Sequence, residues 1–199
     1  IESGEILLKN RKMTRDEAVA LWKRWNSDVS LWHHALSVEA VMRHFAQKYG
    51  ENAEYWGLIG LLHDVDYEKF PEEHLRHARE ILTSAGFDDE FVRSVESHGW
   101  GICTQIAPEL RMEKVLFAID ELTGFIAACA YVRPSRSVLD LEVKSVKKKW
   151  GSAAFAAGVR RDVIEQGADM LGIPLDELIG ETILALRSVA SEIGLKGNL

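Results

Sequence analysis

The sequence predicts an all-α protein. Apolar residues recur at steps of three and four nearly throughout, capping residues precede those runs, and apolar–polar alternation over strand lengths is absent. Thr14-Arg15-Asp16-Glu17 is a capping box ahead of Ala18, Leu21, Trp22 and Trp25, and it opens the first helix. A second helix is predicted from about 30 to 49, with the stripe Leu31, Val38, Val41, Phe45 and Tyr49 and a stop at Gly50. A third starts near Asn52 and carries Tyr55, Trp56, Leu58, Ile59, Leu61 and Leu62; being apolar on most sides, it is expected to be central. Further helices are predicted over 72–85, 88–98, 112–131, 138–148, 160–171 and 175–193. Gly86, Gly99, Gly151 and Gly172 fall near their ends, where a left-handed residue is useful. Arg133-Pro134-Ser135-Arg136 is the clearest break, but nothing linker-like follows it. Residues 1–199 are therefore expected to form one domain: a histidine-bearing core over about 30–130 and a C-terminal helical extension over 133–199.

The 199 residues are 47% hydrophobic and 28% charged, a globular balance that argues against a disordered chain. A net charge of −7 argues against a non-specific nucleic-acid binder, whose affinity comes from lysine and arginine on phosphates. The two cysteines, Cys103 and Cys129, are too few for a disulfide framework or a zinc knuckle; both are expected to be small buried residues of a reducing compartment. The longest apolar run, Phe125 to Val132, has eight residues, far short of the ~18 of a membrane span. No secretory pattern opens the chain, so a cytoplasmic location and no membrane partner are expected. The chain begins at Ile1 rather than Met, so a few residues are expected to be missing or trimmed.

All seven histidines lie between positions 33 and 98. His34 is in line with Leu31, Val38, Val41 and Phe45, so it points inward, whereas His33 shares a more polar face with Ser37, Ala40 and His44. His63 and Asp64 follow directly on Leu61-Leu62, where two polar residues are costly unless partnered. His74 is in register with Ala78, Ile81 and Ala85, and His98 with Phe91 and Val95; both are expected to point inward. His77, in register with Glu73, Glu80 and Ser84, is expected to be exposed. Asp120 sits inside a strongly apolar stretch and needs a cation or several donors. Six inward polar groups on different helices are satisfied together by one metal centre more readily than by six separate arrangements. Imidazole and carboxylate donors suit Fe, Mn, Zn, Co or Ni.

In the order His34, then the adjacent pair His63-Asp64, then Asp120, the chain resembles the HD superfamily of metal-dependent phosphohydrolases. Its marked stretches are Leu61-Leu62-His63-Asp64 and His34-Ala35-Leu36-Ser37-Val38-Glu39. The resemblance covers about 30–130, and the remainder looks like the tail of a bacterial and archaeal subgroup of HD-domain hydrolases. It implies an HD-domain-like helical bundle, with His34, His63, Asp64 and Asp120 around one ion. His74 and His98 resemble the additional ligands of the two-metal subset, with Asp64 able to bridge. The implied activity is phosphomonoester or phosphodiester hydrolysis of a nucleotide or small phosphorylated metabolite, by a water that one or two divalent ions, Fe or Mn foremost, activate at Asp64 and His63. Departures are clear. Val65-Asp66 replaces the Ile-Gly of one subgroup, no Gly-Tyr-Pro extension is present, and Asp120 is not followed by Glu-Pro-x-Arg.

For phosphate contact the candidates are Arg133 and Arg136, beside a proline turn, and Lys69, just past the His-Asp pair. The run Lys144, Lys147, Lys148 and Lys149 reads as a solvated helix face. Asp66 and Glu68 are expected near the mouth, as proton shuttles. The six tryptophans read mainly as core; Trp100, two residues past His98, is the one placed to stack on a base. Two other functions fit the same ligands: a di-iron oxygenase on the same fold, and a module that binds metal and nucleotide without turnover.

Overall fold

Thr14 starts the first helix as its sequence requires. Its Oγ1 accepts from the Glu17 N–H at 3.2 Å, and Glu17 Oε2 accepts from the Thr14 N–H at 2.9 Å. The computed structural model describes residues 12–199, so the expectations about the first residues of the chain lie outside it. Nine α-helices follow one another among the described residues: α1 (Arg15–Trp25), α2 (Val29–Tyr49), α3 (Ala53–Leu62), α4 (Ala78–Ser84), α5 (Asp89–Glu96), α6 (Arg111–Tyr131), α7 (Val143–Trp150), α8 (Arg161–Leu171) and α9 (Leu175–Arg187). Single 3-10 turns occupy Pro71–Glu73 and Ser97–Gly99. The described residues contain no strand, only an isolated bridge between Trp100 and Thr104. The all-α expectation holds, and no helix among them is long and apolar enough to cross a membrane.

Side-chain caps set three further helix starts. Asp28 accepts from Leu31 N at 2.9 Å, Asn52 from Tyr55 N at 3.0 Å and Asp88 from Phe91 N at 2.9 Å. The two long helices, α2 and α6, pack together in the centre. α3 lies along α2, and α1 packs against α3. α8 lies along α6, and α9 touches both α2 and α6. Gly60 makes the closest approach possible: a Cβ there would meet the Val38 carbonyl oxygen at 2.8 Å. Ile59, Leu61 and Leu62 are fully buried, as expected of a central helix. The tight α2–α3 contact brings the end of α3 beside the middle of α2, and the site lies there.

Several boundaries differ from expectation. The helix predicted over 72–85 starts only at Ala78. Pro71 opens a 3-10 turn, and Leu75 takes a left-handed φ of 67° that no helix accommodates. Residues 138–142 are not helical, because the Val138 N–H donates to the Leu195 carbonyl at 2.9 Å and ties this stretch to the chain end. α9 stops at Arg187, yet Ala190 and Ile193 stay buried, so the apolar period outlasts the helix. Gly86 and Gly172 are left-handed as expected (φ 101° and 67°), but Gly99 and Gly151 are not. Gly99 is needed for space instead: a Cβ would strike Cys103 Sγ and Leu75 Cδ1 at 2.5 Å. Cys129 is buried, but Cys103 is exposed, because it sits in the turns after His98 rather than in a helix.

Candidate metal centre

Five segments deliver six side chains to one place. His34 comes from the second turn of α2, His63 and Asp64 from the end of α3, and Asp120 from the middle of α6. His74 comes from the turn before α4 and His98 from the 3-10 turn after α5. His34 Nε2 and His63 Nε2 face each other at 3.1 Å. Asp120 Oδ1 is 2.9 Å from the first and 3.1 Å from the second, and Asp64 Oδ2 is 3.5 and 3.2 Å from them. A second group adjoins this one: Asp64 Oδ1 lies 3.1 Å from His74 Nε2 and 3.3 Å from His98 Nε2, which are 3.2 Å apart. Asp64 therefore gives one oxygen to each group.

The opposite ring nitrogens fix the ring orientations and leave each Nε2 to take a cation, proton or metal, at the centre. His63 Nδ1 donates to the Gly60 carbonyl at 2.7 Å, and His98 Nδ1 to the Val95 carbonyl at 2.6 Å. A carbonyl oxygen only accepts, so in both rings Nδ1 carries the proton. His74 Nδ1 meets Asp66 Oδ1 at 2.9 Å. The Thr123 hydroxyl, 3.4 Å from His34 Nδ1, spends its own proton on the Asp120 carbonyl at 2.8 Å. All four rings are thus held with Nε2 toward the centre, where only carboxylate oxygens and other Nε2 atoms meet them. Such a cluster needs a cation. Ligands about 2.1 Å from one ion sit about 3.0 Å apart in octahedral and 3.4 Å in tetrahedral geometry, and the observed separations span that range. The donor set, nitrogen and carboxylate oxygen with no thiolate, fits a divalent transition metal.

The electrostatics agree. Burial disfavours charge on Asp64, but the His63, His74 and His98 rings outweigh it and hold the carboxyl well below its usual range. Asp120 is held down likewise by His63 and His34. Burial also opposes a charged His74, yet Asp64 and Asp66 raise it to about 9. With no metal bound, protons neutralise the cluster; a metal competes with them.

A cleft of about 330 Å³ opens over these groups. Its walls include Leu31, Tyr67, Ile102, Phe117, Glu121 and Val163. Among the described residues no lysine or arginine lines it. Arg133 instead pairs with Asp140 (Nη2 to Oδ2, 3.1 Å), and Arg136 is exposed in the turn that follows. Lys69 lies over the Trp25 ring, 5.0 Å from its centroid. The geometry therefore gives the expected phosphate contacts of these three residues no support. Asp66 is not at the mouth but fully buried behind His74, accepting from His74 Nδ1 and from the backbone N–H groups of His77 (3.2 Å) and Ala78 (3.1 Å). Glu68 accepts from the Ser27 and Asp28 N–H groups at 2.7 and 3.1 Å and ties the α1–α2 turn. Neither is placed to shuttle protons. Trp100 packs near Phe117 and does not line the cleft.

The remaining histidines keep out of the cluster. His44 pairs with Glu181, and His77 with Glu73 while stacking on Phe70 at 3.8 Å. His33 is half-buried, its ring against Gly194. Sequence reasoning missed Thr123, Glu121 and the walls from α8. Thr123 and Glu121 carried a signal, one at i+3 from Asp120 and the other adjacent to it; Val163 carried none, since only packing brings α8 over α6.

Residues 31–124 match the family model of the HD domain. No curated protein and no solved structure matches the chain.

Proposed function

Since this chain belongs to the HD superfamily, we propose that it is a metal-dependent phosphohydrolase acting on a small phosphorylated substrate. The observation that carries the proposal is the pair of donor groups sharing Asp64. In this reading His34, His63, Asp64 and Asp120 hold one divalent ion, and Asp64, His74 and His98 a second. Fe and Mn suit the mixed nitrogen and oxygen set, with Zn, Ni and Co as further candidates. Bound ions supply Lewis acidity at a phosphoryl oxygen and lower the pKa of a water.

The chain's own residues do the rest. Asp64 spans the two groups and fixes their separation, while Asp120 and His63 hold His34 in place from the other side. The backbone carbonyls of Gly60 and Val95 lock the His63 and His98 rings, and Asp66 locks His74. Apolar walls at Leu31, Phe117 and Val163 exclude water around the substrate. Neither cysteine is favoured as nucleophile: burial raises the Cys129 thiol to about 11, and Cys103, exposed at the cleft, is raised by partial desolvation and by the nearby Asp66, Asp64 and Asp120 carboxylates. Residues 133–199 complete the same unit by supplying Val159 and Val163 to the cleft. The free thiols fit a cytoplasmic location.

The test is hydrolysis of a phosphoester panel by metal-stripped protein reloaded in turn with Mn, Fe, Zn, Ni and Co. Metal-dependent phosphate release supports the reading. Oxygen consumption by the Fe form, with no phosphate release under any metal, replaces it with an oxygenase.

A further inference from the structure

The cleft wall beside Asp120 carries one acidic group and one unexplained space. Phe117, Glu121 and Gly124 lie at i, i+4 and i+7 on α6, so a single helix face forms that wall. Glu121 is half-buried, and among the described residues its one hydrogen bond is from the Arg160 backbone N–H to Oε2 at 3.1 Å. Among the described residues Oε1 has no donor. A half-buried carboxylate gains most from a cation that supplies one. The nearby Arg160 guanidinium is already used by Asp162, at 2.9 and 2.7 Å.

Gly124 is in the interior of α6, where glycine costs roughly 1 kcal/mol relative to alanine. Packing does not require it: a Cβ there would meet nothing within 4 Å. The position leaves open space in the cleft wall next to Glu121. Among the described residues no lysine or arginine is in the lining, and the metal cluster is the one source of positive charge they offer a substrate. One phosphoryl group is served there, but a second would face Glu121 and be repelled.

We propose that the cleft selects a phosphomonoester of a short amine-bearing group, with the phosphoryl group at the His/Asp cluster, the ammonium on Glu121 and the linking carbons over Gly124. This rests on the phosphohydrolase reading for the orientation of the phosphoryl end. Nucleoside polyphosphates are disfavoured at the same site.

The experiment is calorimetric titration of the Mn-loaded protein with phosphoethanolamine, ethyl phosphate and ATP, alongside turnover of each. Phosphoethanolamine is expected to bind about tenfold more tightly than ethyl phosphate, as one charge-assisted contact provides, and ATP no more tightly than ethyl phosphate. In Glu121→Gln, with metal content unchanged, the preference for the amine is lost. Gly124→Leu should weaken all three ligands by filling the space while leaving the metal bound. Equal binding of phosphoethanolamine and ethyl phosphate, or tightest binding of ATP, overturns the proposal even if hydrolysis is observed. Selective binding without hydrolysis leaves the selectivity standing and removes the phosphohydrolase reading.

Discussion

Asp66 Oδ1 lies 2.9 Å from Nδ1 of His74, and its other oxygen accepts the backbone N–H groups of His77 and Ala78. One buried carboxylate thus fixes both a ring and the backbone turn that presents it. The turn includes Leu75 at φ 67°, a strained conformation for a branched side chain, which these bonds hold in place.

Asp66→Asn keeps the shape and an accepting oxygen but removes the charge behind His74. The group containing His74 and His98 should lose metal affinity by roughly 10–100-fold. The group containing His34, His63 and Asp120 should retain its ion. Metal titration followed by elemental analysis checks this; equal loss from both groups would show that Asp66 supports the fold as a whole.

The histidines divide by position. His34→Ala and His63→Ala should lose most bound metal, because each removes a donor from the four-residue group. His33→Ala, His44→Ala and His77→Ala should keep one to two equivalents, since those rings contact other partners. Loss of metal in His77→Ala with retention in His74→Ala would contradict the arrangement.

Asp64→Asn tests the shared oxygen pair. Two close cations repel, and a bridging anion offsets that repulsion. The variant should lose at least one ion and nearly all hydrolysis, with helical circular dichroism unchanged. His98→Ala should empty mainly the second group. Full activity in folded Asp64→Asn would remove the two-metal reading.

Stability of the metal-free protein should depend on pH with a definite sign. His74 is raised from 6.5 to about 9, so its contribution is fully present below pH 6.5 and is lost as pH rises through 9. Asp64 and Asp120 are depressed, so theirs is present above about pH 4 and lost on acidification. The Tm of stripped protein should therefore fall between pH 6.5 and 9. The increment in Tm on adding Mn should grow over the same range, as protons cease to compete. Differential scanning calorimetry at fixed ionic strength measures both; an increment that shrinks with rising pH would argue against imidazole ligation.

The sequence by itself determined the helical class, the starts of α1, α2, α3 and α5, and the inward direction of His34 and His98. These follow from local rules, since caps act within one turn and apolar periods mark a face over a few residues. It also marked His63-Asp64 and Asp120 as polar groups stranded in apolar helices. Only the tertiary structure decided how they meet. His74 shows the difference: a helical register was expected to turn it inward, yet the residue is on no helix, and a left-handed Leu75 and a buried Asp66 aim it. The placement of Arg133, Arg136 and Lys69 away from the cleft, and of Glu121, Gly124 and Val163 on it, was likewise decided by packing. A cleft forms where α6, α8 and the turns beyond α3 and α5 converge, and residue spacing along one helix carries no information about which helix comes to lie opposite.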